Sequence, residues 1–171
     1  MRRPLPEEYH PSLQTYVDLV KGENIIKILQ DQILTLQSLL TDISEEQEEY
    51  AYAEGKWTIK EVIGHITDTE RILCYRALCI ARGETQNLVS FDENLFVANA
   101  NFNSRSIYDL SHEFCQAREG SLALYKSFDE EALNRIGTAN NKNCSVRTLM
   151  FMSAGHVLHH FKIIKTKYLL D

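Results

Sequence analysis

The chain has 171 residues, 44% of them hydrophobic and 25% charged, with a formal net charge of −6. A chain of this length buries roughly two-thirds of its unfolded surface in one core. We therefore expect a single domain over 1–171, with an irregular segment over 1–15 and a helical core over 16–169. The acidic balance provides no basic stripe to displace counterions, which argues against a nucleic-acid partner, and no apolar run is long enough to span a membrane.

Met1-Arg2-Arg3 leads into Pro4 and Pro6 without an apolar stretch. No secretory leader is expected, and a cytoplasmic location follows. The predicted elements begin with an extra turn over Tyr16 to Val20. Asn24 to Leu40 then carries Ile25, Ile28, Leu29, Ile33, Leu36 and Leu40 at helical spacing. Ser44-Glu45-Glu46-Gln47 reads as a short capped turn.

Thr58-Ile59-Lys60-Glu61 is a capping box: the hydroxyl accepts from the third helical amide and the carboxylate reaches back. The helix it opens runs through Ile59, Val62, Ile63, Ile66, Ile72, Leu73, Ala77 and Ile80 to a stop at Gly83. Trp57, just ahead, is placed as a hydrophobic staple, and Trp57 and Tyr75 read as packing residues. Arg71, Arg76 and Arg82 with Glu70 read as a salt-bridged face, none of them assigned to an anionic substrate.

Glu84 to Ser104 is an Asn-rich connector, with one or two turns expected over Asp92 to Val97. Its length suggests a functional or crossover segment. A third long helix is predicted from Ser106 to Phe128, followed by a short turn at Asp129-Glu130-Glu131. Ile136 to Cys144 reads as a polar loop, and this loop and the connector are expected to shape a pocket mouth. The last helical run covers Val146 to Leu170. Four long helices joined by long crossover connections define an all-α four-helix bundle. Cys74, Cys79, Cys115 and Cys144 form no CxxC and read as small apolar residues of a reducing compartment.

In the last helix His156 and His160 lie one turn apart on the edge of the apolar stripe, with His159 outside it. Such a pair either chelates one metal ion or consists of one packed and one solvated imidazole. His65 sits at the same kind of rim on the second helix, and bundles place cofactor sites between facing helices. Three buried neutral imidazoles are most readily stabilised by a shared cation, and three protein ligands leave coordination positions open. His10 and His112 read as surface residues. Glu61 and Asp68 lie one turn either side of His65, so each is a candidate to orient that ring or act as a base.

Gly55-Lys56-Trp57-Thr58-Ile59-Lys60-Glu61-Val62-Ile63-Gly64-His65-Ile66 resembles the "GKWS-x-x-E-hydrophobic-x-x-H" signature of the DinB-like (YfiT-like) metalloenzyme superfamily. Asp68-Thr69-Glu70-Arg71 and Tyr75-Arg76-Ala77-Leu78 continue the likeness, and Ala154-Gly155-His156-Val157-Leu158-His159-His160 is similar to its C-terminal "GH-x-x-HH" element. The resemblance spans about Tyr16 to Leu169. It implies a bundle of unusual connectivity, a homodimer, and a divalent metal ion held by His65, His156 and His160. Such a ligand set suits zinc, nickel, iron(II) or manganese. The implied function is a metal-dependent enzyme of small molecules, either a hydrolase or a thiol S-transferase using bacillithiol, mycothiol or glutathione. The alternative is a non-enzymatic, metal-stabilised and stress-associated binding protein.

Overall fold

A computed structural model describes residues 1–41 and 43–169. After two 3-10 turns, Pro6–Glu8 and Pro11–Leu13, the helices are α1 (Gln14–Leu19), α2 (Ile25–Thr41), α3 (Glu45–Glu48), α4 (Ile59–Ala81) and α5 (Glu93–Ala100). A 3-10 turn at Phe102–Ser104 precedes α6 (Ile107–Lys126) and α7 (Glu130–Asn134). Strands β1 (Ile136–Ala139) and β2 (Lys142–Ser145) lead into α8 (Val146–Ile163), which ends in a π turn over Ile164–Tyr168. Leu170, the end of the expected last run, lies outside the described residues.

Local chemistry sets the ends of these elements. Thr58 caps α4 with a complete capping box to Glu61, while Ser106 and Ser145 accept from the amides of Asp109 and Thr148 to start α6 and α8. α4 stops at Arg82, and Gly83 follows at a φ of 89°, a left-handed geometry that glycine adopts without a Cβ penalty.

The bundle consists of α2, α4, α6 and α8. α4 packs on both α6 and α8, and α2 packs on the same two neighbours, so α2 and α4 are diagonal although consecutive in sequence. Contacts between α4 and α6 advance in the same direction: Glu61 meets Asn103 just ahead of α6, Arg71 meets Glu113, and Glu70 meets Arg118. The two helices are therefore parallel neighbours. The connector from Gly83 to Ser106 must return along the bundle before α6 can begin, which explains its length.

Two apolar cores stack along the bundle axis. One contains Leu29, Leu73, Ala77, Leu122, Tyr125 and Phe151; the other contains Leu36, Ile63, Ile66, Phe114, Val157 and Phe161. Between them, each long helix contributes a buried polar residue: Gln32, Glu70, Arg118 and Ser153. Arg118 Nη2 donates to Glu70 Oε2 at 3.0 Å, and its Nε lies 3.0 Å from Oε1. Arg118 Nη1 donates to Gln32 Oε1 at 2.7 Å, Gln32 Nε2 to the Ala154 carbonyl at 2.8 Å, and Ser153 Oγ to Glu70 Oε2. The expected salt-bridged face of Arg71, Arg76 and Arg82 with Glu70 is thus corrected. Glu70 is a core residue paired with Arg118, while Arg71 binds Asp68 and Glu113 outside.

The Ile136–Cys144 segment is likewise not a loop. It forms an antiparallel hairpin with Gly137 opposite Cys144 and Ala139 opposite Lys142. Its two-residue turn, Asn140-Asn141, has φ of 52° and 57°, the primed geometry that matches strand twist and that asparagine tolerates. Both edges are occupied. The Leu88 amide donates to the Thr138 carbonyl at 2.9 Å, and the His10 amide to the Asn143 carbonyl at 2.9 Å. The N-terminal segment is accordingly more ordered than its composition suggests, with Tyr9 and Leu13 buried.

Candidate metal centre

His65 on α4 and His156 and His160 on α8 meet where these antiparallel helices face each other. All three are buried, at 6, 8 and 8% exposure. His65 Nε2 lies 3.0 Å from His156 Nε2, and His160 Nε2 lies 3.2 Å from the same atom. His159 is half-buried. His10 and His112 are exposed and apart from this cluster.

Aromatic rings hold the imidazoles in place. Trp57 packs against His65 with centroids 4.6 Å apart and planes tilted by 43°, and Tyr16 lies 5.8 Å from the rings of both His156 and His159. Trp57 therefore does more than staple the helix: its ring forms part of the site wall, while Tyr168 Oη donates to its carbonyl at 2.5 Å. Tyr75 does not pack in the core as expected; it is 58% exposed on the outer side of α4.

Close approach of α1 depends on Gly155. A Cβ there would lie 2.1 Å from the Tyr16 carbonyl oxygen, a backbone atom that cannot swing aside. Gly155→Ala is expected to cost about 1–3 kcal/mol, as for other overpacked cores, and to move Tyr16 off His156. Thermal denaturation and the chemical shifts of the Tyr16 and His156 rings check this; an unchanged melting temperature would show that α1 packs less rigidly.

The donor set fits a divalent cation. Metal–imidazole bonds of about 2.0–2.1 Å set neighbouring donor atoms roughly 3 Å apart, the spacing His156 Nε2 keeps to each of the other two, and all three donors lie within 4.8 Å of one another. Hydrogen bonding serves the same three atoms poorly, because His156 Nε2 presents one proton or one lone pair to two neighbours. Burial holds His65 down to about 4 and His160 to about 3, and His156 well below the usual imidazole range, with the neighbouring rings adding to burial. The rings are therefore neutral at pH 7 and their lone pairs are free.

In the metal-free chain the same shifts affect stability. Unfolded histidines protonate near 6.5, whereas the folded rings stay neutral to about 4 and 3, so the unfolded state binds more protons across that interval. Their contribution is complete above about 6.5 and is lost as the pH falls, by up to about 1.4 kcal/mol per unit per ring. Urea denaturation of chelated protein at pH 7 and pH 5 should show the loss, and His160→Gln should reduce it.

Neither acidic candidate contacts the cluster. Glu61 accepts from the Thr58 amide at 2.8 Å and from Asn103 Nδ2 at 3.2 Å, and Asp68 accepts from Arg71 at 3.5 Å. His160 Nδ1 is buried with no hydrogen-bond partner among the described residues, so no carboxylate orients that ring.

The triad lines a cavity of about 450 Å³. Its walls include Tyr16, Trp57, Arg76 and Met152, with Phe91 and Glu93 from the connector and Asn140, Lys142 and Cys144 from the hairpin. Burial pushes the Cys144 thiol up to about 11, so it remains protonated and is no ready nucleophile.

Three buried histidines on facing helices of a bundle form a donor set that could hold a metal ion. The model of the DinB superfamily matches residues 29–164, and the chain belongs to that family. Among solved structures it is similar to YfiT from Bacillus subtilis, described as a probable metal-dependent hydrolase with an unusual four-helix bundle topology. The TM-score is 0.76 at 16% identity, covering 82% of each chain. No curated protein matches the sequence. No helix among the described residues is long and apolar enough to cross a membrane.

Proposed function

We propose that His65, His156 and His160 hold one divalent metal ion, and that the protein is a metal-dependent enzyme acting on a small molecule, with hydrolysis the leading reaction class. The observation that carries this reading is the convergence of three neutral, buried imidazole nitrogens on the wall of a cavity that opens to solvent. The description of YfiT as a probable metal-dependent hydrolase supports the same class.

When bound, such an ion supplies Lewis acidity, polarising a substrate carbonyl or phosphoryl group and making water or a thiol acidic enough to attack near neutral pH. The chain's own residues prepare the place. Two histidines from α8 and one from α4 fix the donor geometry across the helix interface. Trp57 and Tyr16 restrict the imidazoles and exclude water from one side. With Cys144 protonated, its thiol is not the attacking group. A low-molecular-weight thiol in place of water would make the enzyme an S-transferase instead.

The reading extends to a cytoplasmic homodimer, which sedimentation analysis tests. Tag-free protein should contain close to one metal ion per chain, and ester, amide and thiol-conjugation assays should show turnover that a chelator abolishes. His160→Ala should fold yet lose the ion and the turnover. Bound metal without turnover on any of these substrates would favour a non-enzymatic, stress-associated binding protein.

A further inference from the structure

The cavity has a second polar end, opposite the histidines. Along α4 the residues lining it are His65, Thr69, Leu73 and Arg76, so the row runs from the triad towards the hairpin. At about 1.5 Å per residue, His65 and Arg76 are separated by roughly 16 Å along the helix axis.

Arg76 is only 9% exposed. Its Nη2 donates to the Val89 carbonyl at 2.7 Å, and among the described residues no carboxylate pairs with it. A buried guanidinium normally has an anionic partner, because desolvating an unpaired charge is costly; burial here lowers its pKa. Lys142, on the hairpin, lines the same cavity, again with no ion pair among the described residues. Thr69 Oγ1, on the wall between the two ends, is buried without a hydrogen-bond partner. The one carboxylate on the cavity wall, Glu93, lies near Tyr16, whose ring covers His156 and His159. The acidic group thus belongs to the histidine end and the two cations to the hairpin end.

We propose that the hairpin end is an anion-recognition subsite, where Arg76 and Lys142 bind a carboxylate or phosphate group of a small molecule whose other end reaches the histidine triad. This rests on the reading of the triad as a reaction centre and adds the substrate class: an elongated, singly or doubly anionic molecule. A planar guanidinium with free N–H donors matches either oxyanion.

Octanoate, octyl phosphate and 1-octanol serve as probes in isothermal titration of metal-free and zinc-loaded full-length protein. Wild type should bind at least one of the two anions about tenfold or more tightly than the alcohol, the range of a charge-assisted hydrogen bond. Arg76→Gln should remove that preference, Arg76→Lys should keep part of it, and Lys142→Gln should weaken it severalfold. The better of the two anions identifies the headgroup. Because Arg76 is buried, wild-type ¹⁵N spectra give a second measure: octanoate should shift the Arg76 side chain and the amides of residues 140–144. Equal binding of anion and alcohol by wild type, or an unchanged preference in a folded Arg76→Gln protein, overturns the subsite. Zinc stoichiometry, measured separately, decides the triad. Anion binding without zinc binding would sink the metal reading alone, and the converse result would sink the subsite alone.

Discussion

Replacing Arg118 by methionine is expected to lower the unfolding free energy by about 3–5 kcal/mol, the cost of leaving a buried carboxylate without its partner. Arg118 is fully buried and Glu70 is 2% exposed, so water cannot take the place of the lost guanidinium. For a chain of this size, that corresponds to a drop of roughly 10 °C or more in melting temperature. Glu70→Met combined with Arg118→Met removes both charges, and should recover a large part of the loss because apolar replacement of a whole ion pair is often close to neutral. A single variant that melts like wild type would show that the layer joining the four helices contributes little; a double variant no better than the single would assign the loss to packing and not to charge.

The second large effect is linkage between metal and fold. A ligand that binds only the folded chain stabilises it by about 4 kcal/mol at a thousandfold excess over its dissociation constant. Zinc added to chelated wild type should therefore raise the melting temperature by several degrees or more. His65→Ala, which leaves only the two α8 donors, should lose most of that rise. Because His65 lies on α4 and the other two on α8, the gain comes from tying two helices together. Equal zinc-induced shifts in the variant and wild type would mean that the ion binds elsewhere.

The helical frame was readable because its signals are local. The Thr58–Glu61 box and the apolar spacing of α4 lie within a few residues of one another, and they give the start and length of that helix directly. The rim positions of His65, His156 and His160 follow from the same periodicity, and the structure places these three side chains together. What escaped is what depends on distant partners. The charge pattern groups Glu70 with Arg71, Arg76 and Arg82 in a salt-bridged face, yet Glu70 shares a helical face with Ile66, Leu73 and Ala77, and Arg118 shares one with Phe114, Leu122 and Tyr125; those spacings are the available signal for a buried pair. Weak strand formers such as Gly137, Asn143 and Ser145 hide the hairpin; their extended state is set by pairing across it, with the Leu88 and Tyr9 segments bridging to Ala139 and Cys144. Only the Asn140-Asn141 dipeptide pointed to it. Trp57 reads as a packing residue because a position ahead of a helix cap gives no hint of which ring it will face.

α4 carries a triad histidine at position 65, the core carboxylate at position 70 and the cavity guanidinium at position 76 on one rigid rod. Any change in its rotation would disturb all three together. Part of the cavity's remaining rim comes from the hairpin and the connector, which also send Ala139, Cys144, Val97 and Phe102 into the two apolar cores. Phe102 of the connector packs where a Cβ on Gly64 would sit, one residue before His65, so the rim and the rod are locked to each other.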